Sequence, residues 1–159
     1  MAFLFFNAIL TMRSYKFTTF HMGPNMPKKI LICDDDKDFA KLLMLHLDKS
    51  GFDVALAVDG IQVMSFARKN KPDCIVLDMH MPGGTAYTTV KQLEENVFTL
   101  TIPIILMSGE TPDFGKLNEM YQNRFLKKPF AANKLIELIN QVTQIDINSF
   151  SDAKQEELQ

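Results

Sequence analysis

Apolar residues in the middle of the chain switch between two spacings. Ile30-Leu31-Ile32-Cys33 is unbroken, as expected of a strand covered on both faces, and it stops at Asp34-Asp35-Asp36. Phe39, Leu42, Leu43 and Leu47 then recur at helical spacing up to Ser50-Gly51. Of the three acids, Asp36 is the expected cap of that helix. Asp53–Ala57 reads as a second strand, and Asp59 caps a helix to about Lys69 that ends at Lys71-Pro72. Cys74-Ile75-Val76-Leu77 is a third buried strand, stopped by Asp78. A loop over Met79–Thr85 leads into a helix from about Ala86 to Glu95. Ile102–Met107 is the fourth strand and ends at Ser108-Gly109; a polar helix from about Pro112 to Gln122 follows. Arg124–Lys127 is a short fifth strand before Lys128-Pro129, and Leu135, Ile136, Leu138, Ile139 and Val142 form the stripe of a last helix.

Five strands alternating with five helices through short loops imply a doubly wound α/β fold, a parallel sheet with helices on both faces. Such sheets carry their chemistry at the carboxyl ends of the strands, near the point where strand order reverses. The residues expected there are Asp34 and Asp35, Asp78, Ser108 and Lys128. Singly they are ordinary: a loop acid, a serine turn, a lysine before proline. Together they are a cluster of like charges, and at about 5 Å and an effective dielectric near 20 each carboxylate pair costs roughly 3 kcal/mol. Lys128 supplies one counter-charge, and a hard divalent cation is the natural second. Carboxylate and carbonyl oxygens suit Mg²⁺, which keeps several waters that phosphoryl oxygens can replace. A carboxylate beside that ion, with a lysine and a hydroxyl nearby, is equipped for in-line phosphoryl transfer.

Composition narrows the class. A chain of 159 residues, 47% apolar and 23% charged, fits one domain with ends left over and excludes a disordered or collagen-like chain. A net charge of −2 lacks the basic footprint of a nucleic-acid binder. Two cysteines are too few for a secreted disulfide framework, so a cytoplasmic location is expected. Aligning the acid-tipped ends of the first and third strands offsets Cys33 from Cys74 by about 10 Å, too far for a bridge. Residues 1–27 hold five of the thirteen Phe and no acid. They are read as a leader, disordered or a mis-assigned start with Met12, Met22 and Met26 as alternatives. The run Ala2–Leu10 is too short to span a bilayer, so no stable membrane insertion is expected. The domain is placed at residues 28–143, with 144–159 a polar, net-negative tail.

The motifs Ile-Leu-Ile-Cys-Asp34-Asp35-Asp36, Ile-Val-Leu-Asp78-Met-His-Met-Pro82-Gly83, Ile-Ile-Leu-Met-Ser108-Gly109 and Phe125-Leu-Lys-Lys128-Pro129-Phe130 occur in order on the expected strands. In this they resemble the receiver domain of two-component response regulators, from about Lys28 to Val142. The resemblance implies a flavodoxin-like sheet of strand order 2-1-3-4-5. It implies that Asp78 accepts a phosphoryl group from a histidine kinase or a histidine phosphotransfer protein. Asp34, Asp35, Asp78 and the backbone carbonyl of His80 would hold Mg²⁺. Ser108 and Lys128 would bind phosphoryl oxygens. Phe125 matches the aromatic that turns inward when the hydroxyl residue moves, although a buried strand aromatic explains it equally well. Lys128 rather than Lys127 is assigned by its neighbour Pro129. Such a domain is a signalling switch, not a metabolic enzyme, and acts on a downstream protein by contact.

Two other classes fit parts of the pattern. Asp34-x-Asp36 formally matches the nucleophile and acid of a haloacid-dehalogenase-type aspartyl-phosphate phosphatase, but Lys37-Asp38 and the absence of a cap domain argue against it. A flavodoxin-like cofactor binder would offer hydroxyls and amides to a phosphate in its first loop. Three aspartates there would repel one.

Overall fold

The computed structural model describes residues 26–81 and 86–152, the side chains of 145–152 excepted. Residues 1–25 of the leader, the 82–85 part of the third βα loop and residues 153–159 of the tail lie outside the described residues. Five strands, β1 (Lys29–Cys33), β2 (Asp53–Ala57), β3 (Cys74–Asp78), β4 (Ile104–Ser108) and β5 (Phe125–Lys127), form one sheet. All pairings are parallel and the order is β2-β1-β3-β4-β5, as expected. Among the described residues four α-helices accompany them: α1 (Lys37–Lys49), α2 (Gly60–Asn70), α3 (Ala86–Glu95) and α4 (Ala132–Asp152).

Alternation along each strand explains why the apolar runs are continuous. Leu31, Cys33, Ile75, Leu77, Ile104 and Leu106 point to one face, which packs against Val63 and Ala67 of α2 and Ala86, Val90 and Leu93 of α3. Ile30, Ile32, Cys74, Val76, Ile105 and Met107 point to the other, against Ala40, Leu43 and Leu47 of α1 and Leu135, Ile139 and Val142 of α4. Fully burying each such aliphatic side chain stabilises the fold by about 1.5–3 kcal/mol. Register pairs Cys33 with Leu77 and Ile30 with Cys74, so the two thiols sit three positions apart and on opposite faces of the sheet.

Caps fix where the helices begin. The Asp36 carboxylate accepts from the N–H groups of Asp38 and Phe39, and the Asp59 carboxylate from that of Gln62. Such caps stabilise a helix by about 1 kcal/mol each. Gly51 at φ 88° closes α1 in the left-handed region that glycine adopts freely.

The helix expected from about Pro112 to Gln122 is absent. Two 3₁₀ turns, Phe114–Lys116 and Glu119–Asn123, stand there instead, separated by Leu117 in an extended conformation. The Asp113 and Asn118 side chains accept from the N–H groups of Gly115 and Met120, closing local turns that compete with a continuous helix. Tyr121 alone in this segment is buried, so no apolar stripe offsets the cost of a helix.

Other boundaries move as well. Strand β4 starts at Ile104 rather than Ile102: Pro103 has no N–H for the ladder, and the Ile102 N–H closes a turn onto the Thr99 carbonyl at 2.9 Å. Helix α4 runs past the apolar stripe, to Asp152. Among the described residues, no helix is long and apolar enough to cross a membrane.

Candidate functional site

Strand order reverses between β1 and β3, and the loops leaving these neighbours part to opposite sides of the sheet, opening a crevice at their carboxyl ends. Asp34 follows β1 and is buried; its N–H donates to the Ala57 carbonyl at 3.1 Å, which ties it to the end of β2. Its Oδ1 accepts from the Asp36 N–H at 2.9 Å and its Oδ2 from Lys128 Nζ at 2.6 Å. Asp78, the last residue of β3, is also buried and holds Oδ1 3.4 Å from the same ammonium. Asp35 is exposed at the mouth. Carboxylate oxygens of Asp34, Asp35 and Asp78 all lie within 4.8 Å of one another.

Lys128 reaches this point because the β4–β5 ladder continues one residue beyond the strands. Its N–H donates to the Ser108 carbonyl at 2.7 Å, and the Lys128–Pro129 peptide that follows is cis. Its neighbour Lys127 is exposed, as strand alternation requires. The Lys128 ammonium also lies 4.5 Å from the centroid of the Phe39 ring, which packs edge-on against Phe130 at 5.9 Å. The ring face attracts the cation and shields one side of it from water.

Burial raises the Asp78 carboxyl above its ordinary pKa; Lys128 opposes this, Asp34 adds to it, and the His80 N–H bonds the carboxylate and favours its charged form. Asp78 is thus a partly desolvated carboxylate beside a fixed ammonium. The donor set is hard, all oxygen and anionic, and one member faces solvent. It fits a divalent cation such as Mg²⁺ that keeps part of its water shell.

Ser108 ends β4 and is buried. Its Oγ accepts from the Glu110 N–H at 3.1 Å and lies 3.1 Å from His80 Nδ1. Phe125 opens β5, half-buried, with its ring edge-on to Phe114 at 5.7 Å. The crevice therefore brings Asp34, Asp35, Asp78 and Lys128 together, whereas the Ser108 hydroxyl is engaged by His80. The imidazole of His80 and the ring of Phe39 escape sequence reasoning. Position two after a strand-end acid and the first turn of α1 are weak signals by themselves. Asp36 spends its carboxylate on the α1 cap, and both Asp34 oxygens are occupied.

A family model described as the response regulator receiver domain matches residues 30–140. The chain is 34% identical over 112 residues to the alkaline phosphatase synthesis transcriptional regulatory protein PhoP of Bacillus subtilis, covering 69% of this chain and 46% of that protein. It thus spans about half the length of the curated relatives it matches. The structure of chemotaxis response regulator CheY4 of Vibrio cholerae superposes with a TM-score of 0.64 at 25% identity, over 73% of this chain and 98% of that one. The receiver domain of sensor histidine kinase PA1611 from Pseudomonas aeruginosa PAO1 shares the fold at 21% identity, with a TM-score of 0.65 over 74% of this chain and 98% of that one. In that crystal structure a magnesium ion is coordinated in the active-site cleft. Receiver domains are phosphorylation-dependent signalling switches rather than metabolic enzymes, and they bind Mg²⁺. The chain belongs to the response regulator receiver domain family.

Proposed function

We propose that Asp78 accepts a phosphoryl group from the phosphohistidine of a histidine kinase or histidine phosphotransfer protein, and that the resulting change is read by a protein partner. The observation that carries this is a cluster of three carboxylates, two of them paired with one ammonium, where strand order reverses. An Asp78 carboxylate oxygen attacks phosphorus as the donor's P–N bond breaks; the electron pair stays on the imidazole nitrogen, which takes up a proton. Lys128, already 3.4 Å from Asp78, is placed to balance charge on an incoming phosphoryl oxygen. Ser108, once released from His80, offers a hydroxyl to another. Asp34, Asp35 and Asp78, with the His80 carbonyl, would hold Mg²⁺, which supplies positive charge against the phosphoryl oxygens. The reading places the functional unit at residues 28–143, in the cytoplasm where such donors reside.

The supporting experiment is transfer from a phosphorylated histidine phosphotransfer protein. Label should move to the wild-type chain with Mg²⁺, and should be lost with EDTA or in Asp78→Asn. Full labelling of Asp78→Asn would overturn the assignment.

A further inference from the structure

We propose that the His80 imidazole is a positioning residue that detains the Ser108 hydroxyl in the unphosphorylated protein and competes with a phosphoryl oxygen for it. This rests on the reading of Asp78 as the acceptor. A serine hydroxyl has one proton to give and two lone pairs. At Ser108 one lone pair takes the Glu110 N–H at 3.1 Å, and His80 Nδ1 stands a further 3.1 Å away. With the ring proton on Nε2 the hydroxyl is the donor and Nδ1 the acceptor, and this is the resting arrangement of the proposal. His80 is exposed, so its other nitrogen can carry the ring proton towards water.

A phosphoryl oxygen only accepts. It needs the same single proton, which the hydroxyl cannot give twice. Binding Ser108 therefore requires breaking the bond to Nδ1. A charged acceptor makes the stronger hydrogen bond, so the phosphoryl group wins, but against a standing opponent. When phosphate leaves, the imidazole recaptures the hydroxyl and favours the resting state. One net hydrogen bond of this kind changes the equilibrium by about 2- to 10-fold.

The test titrates beryllofluoride, in the presence of Mg²⁺, into the full chain and four variants. His80→Ala should half-saturate at about 2- to 10-fold lower concentration than wild type. His80→Asn, whose side-chain oxygen can occupy the place of Nδ1 as acceptor, should return towards wild type. In Ser108→Ala the further change His80→Ala should have no effect, because the imidazole acts through the hydroxyl. The nitrogen NMR signal of Nδ1 in the wild type should shift on saturation as its donor is withdrawn. Equal midpoints for wild type and His80→Ala, or the same gain in the Ser108→Ala background, would overturn the proposal and leave the acceptor reading intact. No binding to the wild type would overturn both.

Discussion

Replacing Lys128 with methionine removes the cation held between the two buried carboxylates Asp34 and Asp78. Its ammonium lies 2.6 Å from Asp34 and 3.4 Å from Asp78. At an effective dielectric near 20 these separations correspond to roughly 6 and 5 kcal/mol of attraction. Desolvation of the lysine offsets much of this, so the sum overstates the net loss. Stripping the partner from buried charges costs about 3–5 kcal/mol in practice. The lysine side chain keeps 21% of its exposure, which favours the lower end. Lys128→Met in EDTA at neutral pH should therefore lose about 3 kcal/mol in urea unfolding. For a domain of this size that is a drop of about 10 °C in thermal midpoint. Asp34→Asn, introduced into that background, should recover more than half of the loss by removing one of the two orphaned charges. A Lys128→Met protein within 1 kcal/mol of wild type, or a double variant no more stable than the single one, would refute the argument.

Other consequences follow from the same cluster and from the buried thiols. Burial and Asp34 hold the Asp78 carboxyl above its unfolded value, so this group's contribution is full below the unfolded pKa and is lost as pH rises through the folded one. Asp78→Asn should accordingly melt higher than wild type at pH 7 without metal, the gap closing as pH falls into the ordinary carboxylate range; a lower midpoint at pH 7 would contradict this. Mg²⁺ should raise the wild-type midpoint, by an amount equivalent to about 2.7 kcal/mol at a hundredfold excess over Kd, and Asp35→Ala should lose that response. Burial pushes the Cys74 thiol up to about 12 and the Cys33 thiol well above its ordinary value. Neither should react with Ellman's reagent before unfolding, and reduction of the monomer should leave its mass unchanged.

Much of this fold is legible in the sequence because it depends on local alternation. A strand buried on both faces needs an unbroken apolar run, and the runs ending at Cys33 and Leu77 stop where the sheet meets the crevice. The limits of β2 and α3 fall where the pattern places them. What the pattern misses is set by competition between local bonds. The Asp113 and Asn118 side chains fold the 112–122 segment into turns, and Pro103 delays β4 by withholding a donor. In the site, Asp34, Asp78 and Lys128 can be brought together on paper because each ends a strand of a parallel sheet. The His80–Ser108 bond and the Phe39 ring beneath Lys128 depend on side-chain rotamers reaching between separate loops, for which the sequence has no period.

Of the three clustered carboxylates, Asp78 alone is expected to carry the phosphoryl group. Borohydride reduces an aspartyl phosphate to homoserine, leaving free carboxylates untouched. Wild-type chain treated with acetyl phosphate and Mg²⁺, quenched with borohydride and mapped by peptide mass spectrometry, should carry homoserine at position 78, with Asp34 and Asp35 intact. Homoserine at position 34, or at none of the three, would contradict the account.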